Sequence, residues 1–257
     1  MNGETRLLEG ETAVVTGGQS GIGRAIARRY ADEGANVVIG DIQKEPRDAD
    51  RATAAVIESD GGEALFVEAD VRDYDDVENL VDTAVSEYGS IDIMVNNAGI
   101  LQQTLLHETS ADEWTKLMDI NVKGVFFGSK AALSHMIDQE DGGNIVNISS
   151  ISGSIGRGEA PAYCASKGAV TMLTRQNAID YGPHGIRVNA VGPGGTLTSM
   201  VHDTMSDERR EYLEDQTPLR RLANPDEIAK VATFLASDLS SYVNGHVLIA
   251  DGGFSIS

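Results

Sequence analysis

One stretch constrains the fold more than any other. The apolar, β-branched run Thr12-Ala-Val-Val-Thr16 ends in Gly17-Gly18-Gln19-Ser20-Gly21-Ile22-Gly23 and passes into Arg24-Ala-Ile-Ala-Arg-Arg-Tyr30 at helical spacing. The first run reads as a buried strand and the last as a helix. A glycine-rich turn between them is the layout of a dinucleotide site. Glycines let backbone approach a pyrophosphate, and the helix N-terminus offers free N–H groups with the positive end of its dipole. Gly17, Gln19, Ser20, Gly21, Ile22 and Gly23 are therefore candidates for phosphate and cofactor contact. A glycine turn alone also serves plain structural ends. It is not a Walker loop, because no Gly-Lys-Ser/Thr follows at the required spacing.

The alternation continues along the chain. Strands are expected at 36–40, 64–67, 91–95, 144–150, 186–191 and 243–250, with helices at 52–59, 73–88, from Thr109 or Ser110 through Asn121 towards Met136, at 161–181 and from Asn224 to Leu235. Such regularity predicts a single α/β domain spanning 1–257, a parallel sheet covered on both faces. Residues 1–10 read as a polar tail, and the acidic segment 197–222 as a substrate lid. Ligands of such sheets bind beyond the carboxyl ends of the strands. Gly17, Asp41, Asp70 and Asn97 all fall there. A carboxylate at Asp41, 18 residues after Gly23, can accept both hydroxyls of an adenosine ribose and repel a 2′-phosphate. Neither Ser20 nor Ile42 brings a compensating positive charge, so NAD is expected in preference to NADP. Arg24 within reach of a phosphate makes this a preference, not an exclusion.

Composition removes several classes. Forty acidic residues against twenty basic ones leave a formal charge of −20, spread over the whole length. General electrostatic binding to nucleic acid or an anionic membrane is thereby disfavoured. With 41% apolar content and clear periodicity, the acids do not signal disorder. They suit a salt-rich cytosol, as in halophilic archaea, since ~1 M salt shortens the Debye length to about 3 Å. No apolar run reaches the ~20 residues of a membrane span, and the first ten residues lack a signal-peptide layout, so a cytoplasmic protein is expected. A single cysteine, Cys164, allows no internal disulfide. The five histidines show no metal-ligand spacing, and no Gly-x-Ser-x-Gly elbow suggests a hydrolase.

A second cluster carries chemistry. Tyr163 and Lys167 stand at i and i+4 of the 161–181 helix, on one face, and Ser150 ends the fifth strand. An ammonium one turn from a phenol favours the phenolate and lowers a pKa of roughly 10. Ser150 could then hydrogen-bond the same substrate oxygen, giving a proton-transfer site for an alcohol/ketone pair. Taken alone, Tyr-x-x-x-Lys is an ordinary surface pair on many helices.

Together, Thr16-Gly-Gly-Gln-Ser-Gly-Ile-Gly23, Asn96-Asn-Ala-Gly99, Asn121, Ser150, Tyr163-x-x-x-Lys167 and Pro193-Gly194 resemble the short-chain dehydrogenase/reductase family, in order and over nearly the full length. The resemblance implies a Rossmann-type doubly wound parallel sheet of seven strands in order 3-2-1-4-5-6-7, usually in a homotetramer. It implies Tyr163 as general acid/base, Ser150 orienting the substrate oxygen, Lys167 also binding the nicotinamide ribose, and Asn121 holding a water in a proton relay. Asp70 and Val71 would contact adenine, Asn97 with Ala98 and Gly99 the nearby ribose, and Pro193, Gly194, Thr196 and Thr198 the nicotinamide side. The family often has Ile or Val where Thr196 stands. The implied reaction is hydride transfer between NAD and a small secondary alcohol or its ketone or lactone: a sugar, sugar acid, 3-oxoacyl thioester or cyclic alcohol. Arg157 and Arg209-Arg210 flank the expected pocket and suit either an anionic substrate or simple pairing with Asp207, Glu208 and Glu211. An NAD-sensing protein without turnover, or an epimerase or dehydratase that retains its cofactor, are the alternatives.

Overall fold

Strands β1 (Thr12–Thr16), β2 (Asn36–Asp41), β3 (Ala64–Glu68), β4 (Ile93–Asn96), β5 (Gly143–Ile148), β6 (Ile186–Pro193) and β7 (Val247–Ala250) form one parallel sheet in the order 3-2-1-4-5-6-7. These come from a computed structural model, which describes residues 6–139, 141–199 and 205–257. The sheet is doubly wound, as expected. β1 and β4 are buried at every position, so they read as continuous apolar runs instead of alternating ones.

Helices α1 (Gly21–Asp32), α2 (Thr53–Ser59), α3 (Tyr74–Tyr88), α4 (Ala111–Met118), α5 (Gly124–Asp138), α6 (Pro161–Tyr181), α7 (Asp207–Gln216) and α8 (Pro225–Ala236) follow in chain order among the described residues. The pleat sends Ala13 and Val15 of β1 to one face, against Ile26 and Tyr30 of α1 and Leu235 of α8. Val14 goes to the other, against Leu80 of α3 and Met136 of α5. Tyr30 is fully buried, and its hydroxyl donates to the Ala232 carbonyl at 3.1 Å.

The structure departs from the sequence expectations in three places. The long helix through Asn121 is broken by a π-turn at Asp119–Lys123, where the Gly124 N–H reaches back to Asp119. A local widening of this kind re-aims side chains, and here Asn121 is fully buried. β7 begins at Val247, not at 243, because Asn189 captures the backbone of Val243 and His246 and Gly245 turns with φ +72°. The polar tail is docked from Leu8 onward: its side chain is buried in the core and its N–H donates to the Glu33 carbonyl. The rest of that tail, residues 1–5, and residues 200–204 of the expected lid lie outside the described residues. The described part of the lid contains α7, which has no buried side chain.

Candidate active site

At the carboxyl edge of the sheet the β1 turn, the ends of β2, β4, β5 and β6, and the start of α6 surround one cleft of about 880 Å³. Gly17, Ser20, Gly21 and Ile22 line its floor. The glycines shape the turn by close contact. A Cβ on Gly23 would lie 2.2 Å from the Gly17 carbonyl oxygen and 2.3 Å from Asn97 Nδ2, and Gly17 itself has φ +65°. Thr198 packs over Gly21, 3.2 Å from the position of a Cβ there.

The first turn of α1 contains no acidic residue, whereas α3, α4, α7 and α8 each carry two. In so acidic a chain this leaves the positive end of the α1 dipole uncompensated by its own helix, which suits a pyrophosphate. A loop carboxylate, Asp48, accepts the Gly21 N–H at 3.0 Å, in the manner of an anion. Asp41 is held at the end of β2 by the N–H groups of Gln19 and Gln43, each 3.2 Å away. Val71 and Asp70 line the same end of the cleft as Asp41. The Asp70 carboxylate is forked by Arg72, and that hydrogen bond holds its pKa below the ordinary value despite partial burial. Asn97, Ala98 and Gly99 follow β4 along the cleft, with Asn97 Nδ2 donating to the Thr16 and Gly17 carbonyls at 2.9 and 3.1 Å.

Pro193, Gly194 and Thr196 line the opposite wall. Gly195 and Leu197 supply the backbone bonds to Ala223, so the Thr196 peptide groups point the other way in this parallel bridge. Its hydroxyl turns back to the Gly194 carbonyl. These residues fit a dinucleotide laid from Asp41 across the turn to Thr196.

Ser150, Tyr163 and Lys167 meet in the middle of the same cleft. Ser150 lies just past β5, its hydroxyl accepting the Ser152 N–H at 3.1 Å. Pro161 starts α6 at a position where a missing N–H costs nothing, which places Tyr163 in the first turn. Lys167 Nζ sits 5.8 Å from the Tyr163 ring centroid and donates to the Ile148 carbonyl at 2.7 Å.

The electrostatics correct one expectation. Burial raises the Tyr163 pKa in this structure; a hydrogen bond from Ser150 and the charge of Arg157 oppose it, and Lys167 is not among the causes. Burial pulls Lys167 itself down to about 8. Desolvation is therefore the dominant effect on both groups.

Three expected residues do not line the cleft: Gln19, Gly23 and Asn121. Gln19 is buried and ties the turn to the following loop, its amide donating to the Lys44 carbonyl at 2.7 Å and accepting the Thr53 N–H at 2.9 Å. Gly23 lies under the turn. The Asn121 side chain exchanges two hydrogen bonds with the Ile100 backbone, at 2.8 and 2.9 Å, and donates to Ser166 Oγ at 3.1 Å. It thus pins the loop after β4 to α6. Arg47, Tyr212 and Phe254 line the cleft without having been singled out. Only tertiary packing brings them there, and no local pattern marks them. Among the described residues no cluster of His, Cys, Asp or Glu could hold a metal ion.

Fold and site together define a Rossmann-type protein with a dinucleotide cleft and a Ser–Tyr–Lys set at its centre. The family model described as enoyl-(acyl carrier protein) reductase matches residues 17–255. Glucose 1-dehydrogenase 2 of Bacillus subtilis is 41% identical over 97% of this chain and 96% of its own length. Cis-4-hydroxycyclohexanecarboxylate dehydrogenase of Sinomonas cyclohexanicum is 44% identical over 95% and 96%. The crystal structure of a short-chain type dehydrogenase/reductase from Mycobacterium marinum superposes with a TM-score of 0.92 at 36% identity, covering 98% of both chains. A Beutenbergia cavernae structure with NADP bound at low occupancy gives 0.91 at 36%, covering 99% and 100%. The chain belongs to the short-chain dehydrogenase/reductase family, whose members use NAD or NADP.

Proposed function

We propose that this protein is an NAD-preferring dehydrogenase that interconverts a small secondary alcohol and its ketone or lactone, with Tyr163 as general acid/base. The observation that carries the reading is the convergence of Ser150, Tyr163 and Lys167 in the cleft whose far end presents Asp41 and the acid-free start of α1. The cofactor, when bound, supplies or accepts the hydride. In the oxidative direction Tyr163 takes the hydroxyl proton while Ser150 holds the same oxygen. Ser150 and Arg157, which favour the phenolate, assist this. The Ile148 carbonyl holds the Lys167 ammonium beside the phenol ring, and Asn121 positions α6 through Ser166. The relatives named for glucose and for a hydroxycyclohexane acid favour a hydroxyl on a ring. Asp41 favours a free ribose 2′-hydroxyl.

The test is Tyr163→Phe. A screen of sugars, sugar acids and cyclic alcohols in molar KCl should show NADH formation by the wild type. The variant should bind NADH as the wild type does and lose about 10²–10⁴-fold in turnover. Full activity in the variant would remove Tyr163 from the mechanism.

We place the enzyme in a salt-rich cytoplasm as a homotetramer. Its charge of −20 supports the first. The exposed apolar Phe126 and Ile137 of α5 and Met172 and Ile179 of α6 support the second. Light scattering and thermal melts from about 0.1 M to about 3 M KCl test both. A monomer throughout, or a melting point indifferent to salt, contradicts them. Among the described residues no helix is long and apolar enough to cross a membrane.

A further inference from the structure

The two ends of the cleft differ in charge. Among the described residues Asp41 and Asp70 are the only acidic ones that line it, both at the adenosine end, where Arg47 and Arg72 also line it. Beyond Tyr163 the wall is apolar, through Ile155, Leu213 and Phe254, with the guanidinium-bearing Arg157 and Arg209 among the lining residues. Among the described residues six of the fourteen arginines pair with a carboxylate, so what marks Arg157 and Arg209 is an unpaired guanidinium at this apolar end of the cleft.

Arg210 is one of the six, with Nε 3.0 Å from Glu214. Its neighbour Arg209 is not. Among the described residues it has no carboxylate within 4.0 Å, and its guanidinium stacks on Tyr212, 5.3 Å from the ring centroid. Arg157 likewise has no such partner among the described residues, although Glu159 is two positions away. The backbone keeps that acid out of the way. Glu159 adopts the left-handed conformation, φ +58°, its carbonyl accepts the Thr104 N–H at 2.7 Å, and the residue is exposed and does not line the cleft. A left-handed residue that is not glycine costs free energy and persists where the surroundings over-determine it. Arg157 is also close enough to the reacting oxygen for its charge to act on the Tyr163 phenol.

Resting on the dehydrogenase reading above, we propose that the substrate carries a carboxylate beside its carbinol, received by Arg157 with Arg209 as a second cation from α7. Arg157 is then a specificity-determining residue. A planar guanidinium against apolar walls offers paired, charge-assisted hydrogen bonds that a neutral group cannot match.

The test uses the full chain saturated with NADH and titrated calorimetrically with benzoate and with benzamide, in low and in molar KCl. The acid should bind at least about tenfold more tightly than the amide, a difference equivalent to one charge-assisted hydrogen bond. Because a half-buried pair in direct contact is screened less than an exposed one, the preference should shrink but persist in molar salt. Arg157→Gln should abolish it and Arg209→Gln should weaken it, with NADH affinity unchanged in both. With an active hydroxy acid, Arg157→Gln should also move the pH profile of oxidation to higher pH, since it removes a charge that favours the phenolate. Equal affinity for acid and amide, or a preference that survives Arg157→Gln, overturns the proposal. Because binding is read without turnover, an inactive protein that still prefers the acid would sink the dehydrogenase reading and leave the carboxylate site standing.

Discussion

The two ends of the cleft, proposed above to take the adenosine and the substrate, are built on different principles. At the adenosine end almost every polar side chain is already spoken for. Asn97 holds the turn, Gln19 holds the next loop, and Asp41 is fixed by two backbone N–H groups. What remains for a ligand is largely backbone, with Asp41, Asp70 and Arg47 at the rim. At the substrate end the loop around Arg157 and the helix α7 expose much of their surface, and α7 buries nothing. A site for a ligand of fixed shape can be made of rigid backbone, whereas one that must suit a particular substrate is made of replaceable side chains on a firm base.

This contrast breaks first at its glycines. Gly23→Ala has no room, since the neighbours are the Gly17 carbonyl and Asn97. NADH affinity should fall by about 5- to 150-fold, or the variant should melt well below wild type, the range expected for an overpacking cost of about 1–3 kcal/mol. Gly156→Ala and Gly158→Ala, with nothing within 4 Å of the new methyl, should leave NADH affinity within about twofold. Fluorescence titration of the three variants decides this. If all three behave alike, the two ends are equally rigid.

A smaller effect is expected from Asp41→Ala. The change removes the charge that opposes a 2′-phosphate while Arg47 remains in the lining, so the ratio of NAD to NADP affinity should drop by about 10- to 100-fold, one to two factors of 1.4 kcal/mol. An unchanged ratio would take the coenzyme choice away from this strand end.

Lys167 sharpens the comparison at the centre. Its pKa is lowered on folding from 10.5 to about 8 by burial. The unfolded chain therefore binds more protons in that window, and stability should rise with pH between about 8 and 10. Integrated, the effect is on the order of 3 kcal/mol for this one group. Urea unfolding of wild type and Lys167→Met in KCl, without cofactor, should show that slope in the first only. The same slope in both would mean that Lys167 is better solvated than its packing indicates.

Much of the adenosine end was legible because its signals are local. Gly17, Gly21 and Gly23 declare a close turn, and strand–helix alternation places Asp41, Asp70 and Asn97 at strand ends. The i and i+4 spacing puts Tyr163 and Lys167 on one face, and Pro161 marks where their helix begins. The π-turn at Asp119–Lys123 was hidden, because its buried Asn121 is satisfied by Ile100, twenty-one residues earlier in the chain. Leu8 looked like part of a tail because its partner groups belong to the end of α1.

The order of residues alone thus carried the layering of the sheet, the place of the glycine turn and the pairing of Tyr163 with Lys167 on one helix face, since each follows from backbone freedom or from helical and strand periods. Folding had to settle the charges: which arginine finds a carboxylate, and whether a buried phenol and amine keep their ordinary pKa values. Solvent exclusion and Coulomb attraction are sums over neighbours from every part of the chain, and those neighbours exist only once the chain has closed around them.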